Sequence, residues 1–322
     1  MFLYDVKGIK LQKTDLWIDA HRNTKFSFVS HGHGDHLKNH EKILATPATV
    51  QFHAMRARQK EKIALDYEEL FELEDLKIRL YPAGHILGSA MIKVERQNVS
   101  LLYTGDFKLQ KSETCEPIVI PQADYLIMES TFGNPDFVVK KSRESLINEI
   151  VFFIEDCIKT RFTPIILAYS LGKAQEAMKI LGDRGYKVRI HHNAWRFTKV
   201  YNEFGISFQN CQLWHEKSVE PNEVLIIPPH LMRSGRLKYL PYKYKTVFLS
   251  GWANTNNGMW TQSDHSIAFS DHADFEELLE LIKKVNPQKV FTTHGDKDFP
   301  LHIEDIGYKA ELLQPSSSVV LP

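Results

Sequence analysis

Short apolar runs separated by turn residues dominate the first 130 residues of the chain. Val, Ile, Leu and aromatic residues fill these runs, and Gly, Pro, Asn or Asp bounds them, which is typical of β-strands. The predicted strands are Phe26–Ser30, Lys77–Tyr81, Met91–Val94, Ser100–Thr104 and Tyr125–Met128. The pattern therefore predicts a β-rich first domain.

The pattern changes after Ser142, where apolar residues recur at helical spacing up to Ile158. Strands and helices then alternate: strands Pro164–Tyr169, Lys187–Ile190, Val224–Pro228 and Thr246–Ser250, and helices Lys173–Leu181 and Ala194–Phe204. Such alternation predicts a parallel sheet flanked by helices. A helix (Phe275–Val285), a strand (Lys289–Thr293) and a short final helix follow. We therefore predict an α/β fold in which residues 141–259 form a separate domain, inserted into a first domain made of residues 1–140 and 260–322.

Composition excludes several classes of protein. The 322 residues are 43% hydrophobic and 25% charged, as in ordinary globular proteins. No apolar run approaches the roughly 18 residues that span a bilayer, and early charges disfavour a signal peptide. Three widely separated cysteines form neither a disulfide framework nor a Cys-rich zinc site. The forty basic and forty acidic residues cancel, so any attraction to a polyanion must be local. We expect a cytoplasmic protein without a membrane partner.

The densest chemical signal is a histidine cluster directly after the first predicted strand. It reads Ser30-His31-Gly32-His33-Gly34-Asp35-His36. In an extended segment, the alternate residues His31 and His33 can reach one metal ion, and Asp35 and His36, beyond a predicted strand-to-helix turn, can reach a second. The alternative is a histidine-rich surface loop without a ligand.

Three further motifs place a histidine or an aspartate where a predicted strand ends. They contain His85 (Ala83-Gly84-His85), Asp106 (Thr104-Gly105-Asp106) and His294 (Thr293-His294-Gly295). Imidazole and carboxylate suit Zn²⁺ and similar ions. Two such ions roughly 3.5–4 Å apart can hold a hydroxide that attacks a phosphoester. Asp106 has two oxygens to share and is the natural bridge between the ions.

At these residues the sequence resembles the metallo-β-lactamase superfamily, whose signature H-x-H-x-D-H stands here as His31, His33, Asp35 and His36. The resemblance implies an αββα sandwich and a site with two divalent ions, most simply Zn²⁺, with Mn²⁺ or Fe²⁺ as alternatives. It assigns His31, His33 and His85 to one ion, and Asp35, His36 and His294 to the other. Asp106 bridges them, Asp35 also has a catalytic role, and Asp19 braces the histidine loop.

Motifs around the predicted insertion resemble the β-CASP nucleases, which carry a second α/β domain. They are Met128-Glu129-Ser130-Thr131, Ser270-Asp271-His272-Ala273 and the His294 motif. The resemblance implies that Glu129 and His272 are catalytic. An imidazolium at His272 can protonate the leaving alkoxide, and Glu129 can keep it protonated. The alternative is that His272 only caps or packs against the following helix.

Within that group the sequence is similar to bacterial ligase-associated DNA exonucleases along nearly the whole chain. Tyr169-Ser170-Leu171-Gly172-Lys173 and Ser250-Gly251-Trp252-Ala253 carry much of this similarity, whereas 254–260 departs from an arginine-rich pattern. Free N–H groups at the helix that begins with Lys173, and its charge, predict a phosphate pocket. Ser170, Gly172, Lys173, Ser250 and Gly251 are its candidate contacts. The alternative is an ordinary helix start with a solvated lysine.

Basic residues concentrate in the predicted insertion and favour a nucleic-acid partner. They are Lys173, Lys179, Arg184, Lys187, Arg189, Arg196, Lys199, Arg233, Arg236, Lys238, Lys243 and Lys245. We therefore predict a metal-dependent DNA exonuclease of repair or end processing, with DNA as its partner and an ATP-dependent DNA ligase or a helicase as candidate protein partners. An RNA-processing β-CASP ribonuclease with the same two-metal site is the first alternative. A non-enzymatic scaffold is the second, although none of its seven predicted ligands is missing.

Overall fold

A computed structural model describes residues 2–215, 219–220, 222–233, 235–254, 263–314 and 317–319. The chain divides into two compact units, Met1–Pro135 with His272–Pro322, and Asp136–Asp271. The inserted unit therefore runs from 136 to 271, whereas the predicted boundaries are 141 and 259.

Two seven-stranded sheets build the first unit. The first sheet has the order β20-β1-β2-β3-β4-β5-β6. Its strands are β1 (Phe2–Asp5), β2 (Gly8–Leu11), β3 (Leu16–Ile18), β4 (Phe26–Phe28), β5 (Lys42–Ala45), β6 (Glu61–Ala64) and β20 (Ser317–Val319). The second has the order β19-β18-β11-β10-β9-β8-β7. Its strands are β7 (Phe71–Leu73), β8 (Leu76–Pro82), β9 (Ala90–Arg96), β10 (Val99–Tyr103), β11 (Tyr125–Ser130), β18 (Lys289–Gly295) and β19 (Ala310–Leu312).

The inner faces of these two sheets share one apolar core, which includes Ile18, Phe28, Ile92, Leu101 and Phe291. Helices cover the outer faces: α1 (Pro47–Ala54) next to the first sheet, and α5 (Phe275–Val285) and α6 (Phe299–Asp305) against the second. Burying one face of each sheet and one stripe of each helix gives a helix–sheet–sheet–helix sandwich. The predicted αββα fold is confirmed.

A six-stranded sheet forms the centre of the second unit, with the order β14-β13-β15-β12-β16-β17. Its strands are β12 (Thr163–Leu167), β13 (Lys187–Ile190), β14 (Cys211–Leu213), β15 (Glu223–Ile227), β16 (Tyr244–Leu249) and β17 (His265–Ile267). Its helices are α2 (Arg143–Lys159), α3 (Lys173–Asp183) and α4 (His192–Glu203). All five strand pairings are parallel, as predicted. The three helices share one core with one sheet face.

The positions of most elements follow the sequence prediction closely. β13 and α5 have the predicted bounds, and other predicted elements differ by one or two residues at their ends. β17 lies beyond residue 259 and pairs with β16, which explains why the second unit extends further than predicted. In the described ranges no helix has the length and apolar character needed to cross a membrane.

Candidate metal centre

The histidine loop leaves β4 and enters a single turn at 34–36 that continues as irregular chain to β5. The predicted strand-to-helix turn is therefore wrong: no helix follows within the described residues 37–41. Gly32 and Gly34 disfavour helix, and the side chains of this loop bond to groups outside it. The turn directs its imidazoles to the carboxyl end of β4.

Four predicted ligands form one compact group. His31, His33, His85 and Asp106 each offer a ligand atom, and these atoms lie within 4.8 Å of one another. Nε2 of His85 lies 3.0 Å from Nδ1 of His33. His85 follows β8 and Asp106 follows β10, so the ends of three strands supply the group.

The carboxylate of Asp106 lies at the centre of the wider cluster. Its Oδ2 is 3.4 Å from Nε2 of His31, 3.6 Å from Nε2 of His36 and 3.9 Å from Nε2 of both His85 and His272. Burial, followed by the charge of Glu129, raises the pKa of Asp106 to about 7. A bound cation would favour the carboxylate form instead, because a metal ligand must be deprotonated.

Asp19 connects four groups around the histidine loop. Oδ1 accepts a hydrogen bond from the Ser30 N–H (2.8 Å), and Oδ2 accepts from the Ser30 hydroxyl (2.5 Å), from Nδ1 of His36 (2.9 Å) and from the Tyr103 hydroxyl (2.9 Å). Burial alone would raise the pKa of Asp19, but the charge of His36 and these hydrogen bonds outweigh it and lower the pKa. A buried carboxylate thus fixes the loop, the arrangement that the resemblance implies for Asp19.

Ser30 sets the tautomer of His31. Its hydroxyl hydrogen is donated to Asp19, so its oxygen, 3.0 Å from Nδ1 of His31, must accept from that nitrogen. The Nε2 lone pair of His31 then faces Asp106, and Nε2 is buried and makes no hydrogen bond to the described residues. Burial, followed by the neighbouring histidines, keeps the pKa of His31 well below its usual range. A neutral imidazole with an available Nε2 is the form that binds a metal ion.

The predicted ligands of a second ion are less compact. Nε2 of His36 is 3.7 Å from Oδ2 of Asp35, but His294 is exposed and its ring lies 5.3 Å from that of His21. Within the described ranges, no compact group of three or more candidate ligands includes Asp35, His36 or His294. The predicted ligands of the first ion therefore lie close together, whereas those of the second ion are more widely spaced.

Two predicted catalytic residues form a pair in which Glu129 is buried and His272 is partly buried. Nδ1 of His272 lies 3.1 Å from Oε2 of Glu129, and Oε1 of Glu129 also accepts from the Phe107 N–H. Burial alone would raise the pKa of Glu129, but the charge of His272 and the hydrogen bonds outweigh it and lower the pKa. The carboxylate orients the imidazole with Nε2 on the Asp106 side. This geometry leaves Nε2 as the atom that could transfer a proton.

Lys108 holds the backbone of His272 from the other side. Its Nζ donates to the His272 carbonyl (3.1 Å) and to Oε2 of Glu277 (2.9 Å) in the first turn of α5. The segment that carries Asp106 and the segment that carries His272 are therefore tied together. Gly105 permits the close approach of the same loop to Ser30: its φ is 56°, and a Cβ there would lie 2.7 Å from Ser30 Cβ.

The phosphate pocket predicted at α3 is not available as expected. Lys173 is buried, and its Nζ lies 2.9 Å from Oδ1 of the equally buried Asp271. The Gly172 N–H donates to the Gln175 side chain, and the Ala174 N–H to the Tyr169 carbonyl. Lys173 is therefore not the solvated lysine of the alternative, and a carboxylate already neutralises the charge on which the predicted phosphate contact depends.

The other predicted phosphate contacts lie in the same unit. Ser170 is half-buried, and Ser250 is buried with its N–H bonded to the Ile267 carbonyl. Gly251 begins a short 3₁₀ helix, Gly251–Asn254. Residues 255–260, most of the stretch that departs from the family pattern, lie outside the described residues.

Several basic residues of the second unit already have acidic partners. Arg189 forms a two-pronged pair with Glu223 at 2.8 and 2.7 Å. Lys179 pairs with Asp183 at 2.7 Å, and Lys245 with Asp156 at 3.0 Å. The free positive charge of this unit is therefore smaller than the count of lysines and arginines suggests.

The sequence interpretation missed four residues that the structure brings to the site: His21, Ser30, Tyr103 and Lys108. Ser30 is a polar residue next to the predicted ligand His31, and Tyr103 lies in the predicted strand that ends just before Asp106; these positions were the available signals. The structure also shows positive φ values of 40° and 50° at Asp19 and His294, two residues that the sequence did predict. Such strain in non-glycine residues concentrates at functional sites.

The sandwich and its histidine–aspartate cluster are typical of metallo-hydrolases. A family model described as a Zn-dependent metallo-hydrolase RNA specificity domain matches residues 264–309, which include His272 and His294. The chain belongs to the β-CASP branch of the metallo-β-lactamase superfamily.

Proteins with different names match most of the chain. It is 37% identical over 301 residues to the probable DNA ligase of Opitutus terrae, which covers 91% of this chain and 29% of the relative. It is 24% identical to RNase aCSPSF2 of Saccharolobus solfataricus, over 84% of this chain and 63% of the relative. It is 29% identical to the RNase J-like protein of Methanocaldococcus jannaschii, over 72% of this chain and 66% of the relative. The chain thus spans less than a third of the first and under two thirds of the others.

Proposed function

We propose that the protein is a metal-dependent DNA exonuclease that hydrolyses phosphodiester bonds during repair or end processing. The position of Asp106 carries the proposal, since four imidazole nitrogens lie 3.4–3.9 Å from its Oδ2. So dense a set of imidazole and carboxylate groups, next to a loop braced by Asp19, suits borderline divalent cations. Zn²⁺ is our first choice, and Mn²⁺ and Fe²⁺ would accept the same donors.

His31, His33, His85 and Asp106 would hold one ion, and Asp35, His36 and His294 the other, with Asp106 shared. Bound ions would supply a nucleophilic hydroxide and stabilise charge on the phosphoryl oxygens. His272 donates a proton from Nε2 to the leaving oxygen, and Glu129 at Nδ1 keeps the imidazole oriented and protonated. Asp35, with its exposed carboxylate, stays a candidate for assisting the water.

A ribonuclease is the second candidate, because the model that matches 264–309 carries RNA specificity in its description and two of the relatives are named as RNases. The relative named as a probable DNA ligase favours DNA, and it supports an ATP-dependent ligase as a partner of this chain. A helicase stays a further candidate partner. We place the protein in the cytoplasm, where its three free thiols, Cys115, Cys157 and Cys211, stay reduced.

A parallel assay on matched DNA and RNA strands tests the proposal. Protein reconstituted with Zn²⁺ or Mn²⁺ should shorten end-labelled DNA progressively, and metal-free protein should not. Strands with and without a 5′ phosphate would show whether the predicted phosphate contacts, among them Ser170 and Gly251, respond to that end. Preferential hydrolysis of RNA would support the second candidate instead.

A further inference from the structure

A groove of about 820 Å³ lies in the first unit, and its lining residues include none of the candidate metal ligands. Three chain segments, at residues 23–25, 39–41 and 58–60, line it where β4, β5 and β6 begin. Hydrogen bonds fix these segments side by side: the Asn39 N–H donates to Oδ1 of Asn23, and the Arg58 N–H to Oδ1 of Asn39. Its volume lies in the range of clefts that bind small ligands.

Trp17 gives the groove an aromatic surface. Its neighbours Leu16 and Ile18 are buried in the core between the sheets, so the indole lies on the opposite face of β3, where it is half-buried. Nζ of Lys7 lies 5.9 Å, and Nζ of Lys10 5.7 Å, from the centre of its ring. An aromatic ring flanked by two ammonium groups suits a flat base joined to an anion.

The charge of the groove is net positive. Lys7, Lys25, Arg58 and Lys60 line it, against Asp15 and Glu41. Nζ of Lys60 lies 3.7 Å from Oε1 of Glu41, whereas the side-chain cations of Lys7, Lys25 and Arg58 have no carboxylate within 4 Å in the described part of the chain. Burial, followed by the charge of His53, lowers the pKa of His40 to about 4, so this lining imidazole adds no charge near neutral pH. Three exposed cations thus stay available for phosphate.

We propose that this groove binds one nucleotide, with its base stacked on Trp17 and its phosphates at Lys25 and Arg58. Two ligands offer such a base and phosphates: a free mononucleotide, and a nucleotide of the substrate strand away from the scissile bond. The proposal rests on the proposed function for the identity of the strand. Trp17 lies two residues before Asp19 on the same strand–loop segment, so a nucleotide held there shares the unit that carries the candidate metal centre.

Fluorescence anisotropy with labelled single-stranded oligonucleotides tests the groove in an Asp106→Asn background, which prevents cleavage. Stacking contributes about 1–3 kcal/mol per base, so Trp17→Ala should weaken binding roughly five- to 150-fold. Lys25→Ala and Arg58→Ala should each reduce the salt slope by about 0.7. Phe152→Ala and Lys159→Ala, exposed residues on α2, are matched controls that should change neither. The lysine and arginine variants keep the test valid if Trp17→Ala fails to fold.

Competition by a free mononucleotide distinguishes the two sources. If it displaces the oligonucleotide from the Asp106→Asn protein but not from the same protein with Trp17→Ala, the groove binds an isolated nucleotide. If only longer strands compete, the groove binds the substrate strand. Groove variants that bind like the controls would overturn the inference, even if the protein digests DNA. Conversely, Trp17-dependent binding by a protein that cleaves no nucleic acid would refute the proposed function and leave the groove intact.

Discussion

Nζ of Lys173 lies 2.9 Å from Oδ1 of Asp271, and both side chains are almost fully buried. Removing one partner of a buried ion pair leaves an uncompensated charge. Lys173→Met should therefore lower the free energy of unfolding by about 3–5 kcal/mol. Chemical denaturation of the metal-loaded protein measures this.

Lys179→Met is the matched control, since Lys179 lies on the same helix in an exposed pair with Asp183. Lys179→Met should lower the free energy of unfolding by only about 0.3–0.5 kcal/mol. The double variant Lys173→Met, Asp271→Leu should recover much of the lost stability, because an apolar pair can replace a buried ion pair. Equal, small effects at Lys173 and Lys179 would contradict the buried pair.

The contact between His272 and Glu129 predicts a loss of chemistry without a loss of metal. His272→Ala should retain its metal content and substrate affinity, while single-turnover cleavage slows roughly 10²–10⁴-fold. Glu129→Gln should slow the same step, and the double variant should be little worse than His272→Ala, since both changes remove one function. His192→Ala, at an exposed histidine of α4, serves as control. A His272 variant that loses an ion would instead make His272 a metal ligand.

Ser30 is predicted to act on the metal through His31. Ser30→Ala removes the acceptor of the Nδ1 hydrogen and should weaken metal binding about 10–100-fold, as loss of such supporting groups typically does. Competition with a chelator of known affinity measures it. Ser100→Ala is a close control, because Ser100 likewise donates both its N–H and its hydroxyl to one carboxylate, that of Asp124. Similar metal affinities in the two variants would disprove the role of Ser30.

Metal binding should depend on pH through Asp106. Burial and the charge of Glu129 raise the pKa of Asp106 to about 7. Below that pH a cation must displace a proton, so metal affinity should fall as pH decreases, by about tenfold per pH unit from this group. Above it, Asp106 adds no pH dependence. Asp106→Asn should bind metal more weakly and with a flatter pH profile, measured by calorimetry. Parallel profiles of wild type and variant would count against this assignment.

The sequence predicted those ligands of the candidate metal centre that directly follow a strand. His31, His33, His85 and Asp106 each follow a strand, and strand ends at one edge of a sandwich converge, so three short motifs were sufficient to find the cluster. His36 was likewise placed near Asp106, whereas nothing local showed that His294 would lie against His21.

Long-range pairing explains what the sequence could not provide. Lys173 stands at a helix start, and nothing near it in the sequence shows that the fold places Asp271 beside it. In the same way, nothing near Lys108 shows that α5 brings Glu277 to it. The histidine loop was predicted to enter a helix. It forms a single turn instead, and its side chains contact Asp19 and the residues that follow neighbouring strands. Trp17 has no signal beyond its residue type, because only the sheet shows which face it occupies.

Digestion of end-labelled DNA tests the central claim most directly. Wild-type protein, metal-depleted protein and metal-reconstituted Asp106→Asn are compared on DNA and RNA strands of one sequence. The account predicts progressive release of nucleotides from DNA by wild type, loss of activity on metal removal, recovery on adding Zn²⁺ or Mn²⁺, and little turnover by the variant. Full hydrolysis by rigorously metal-free protein, or no hydrolysis of either strand by metal-loaded protein, would contradict it.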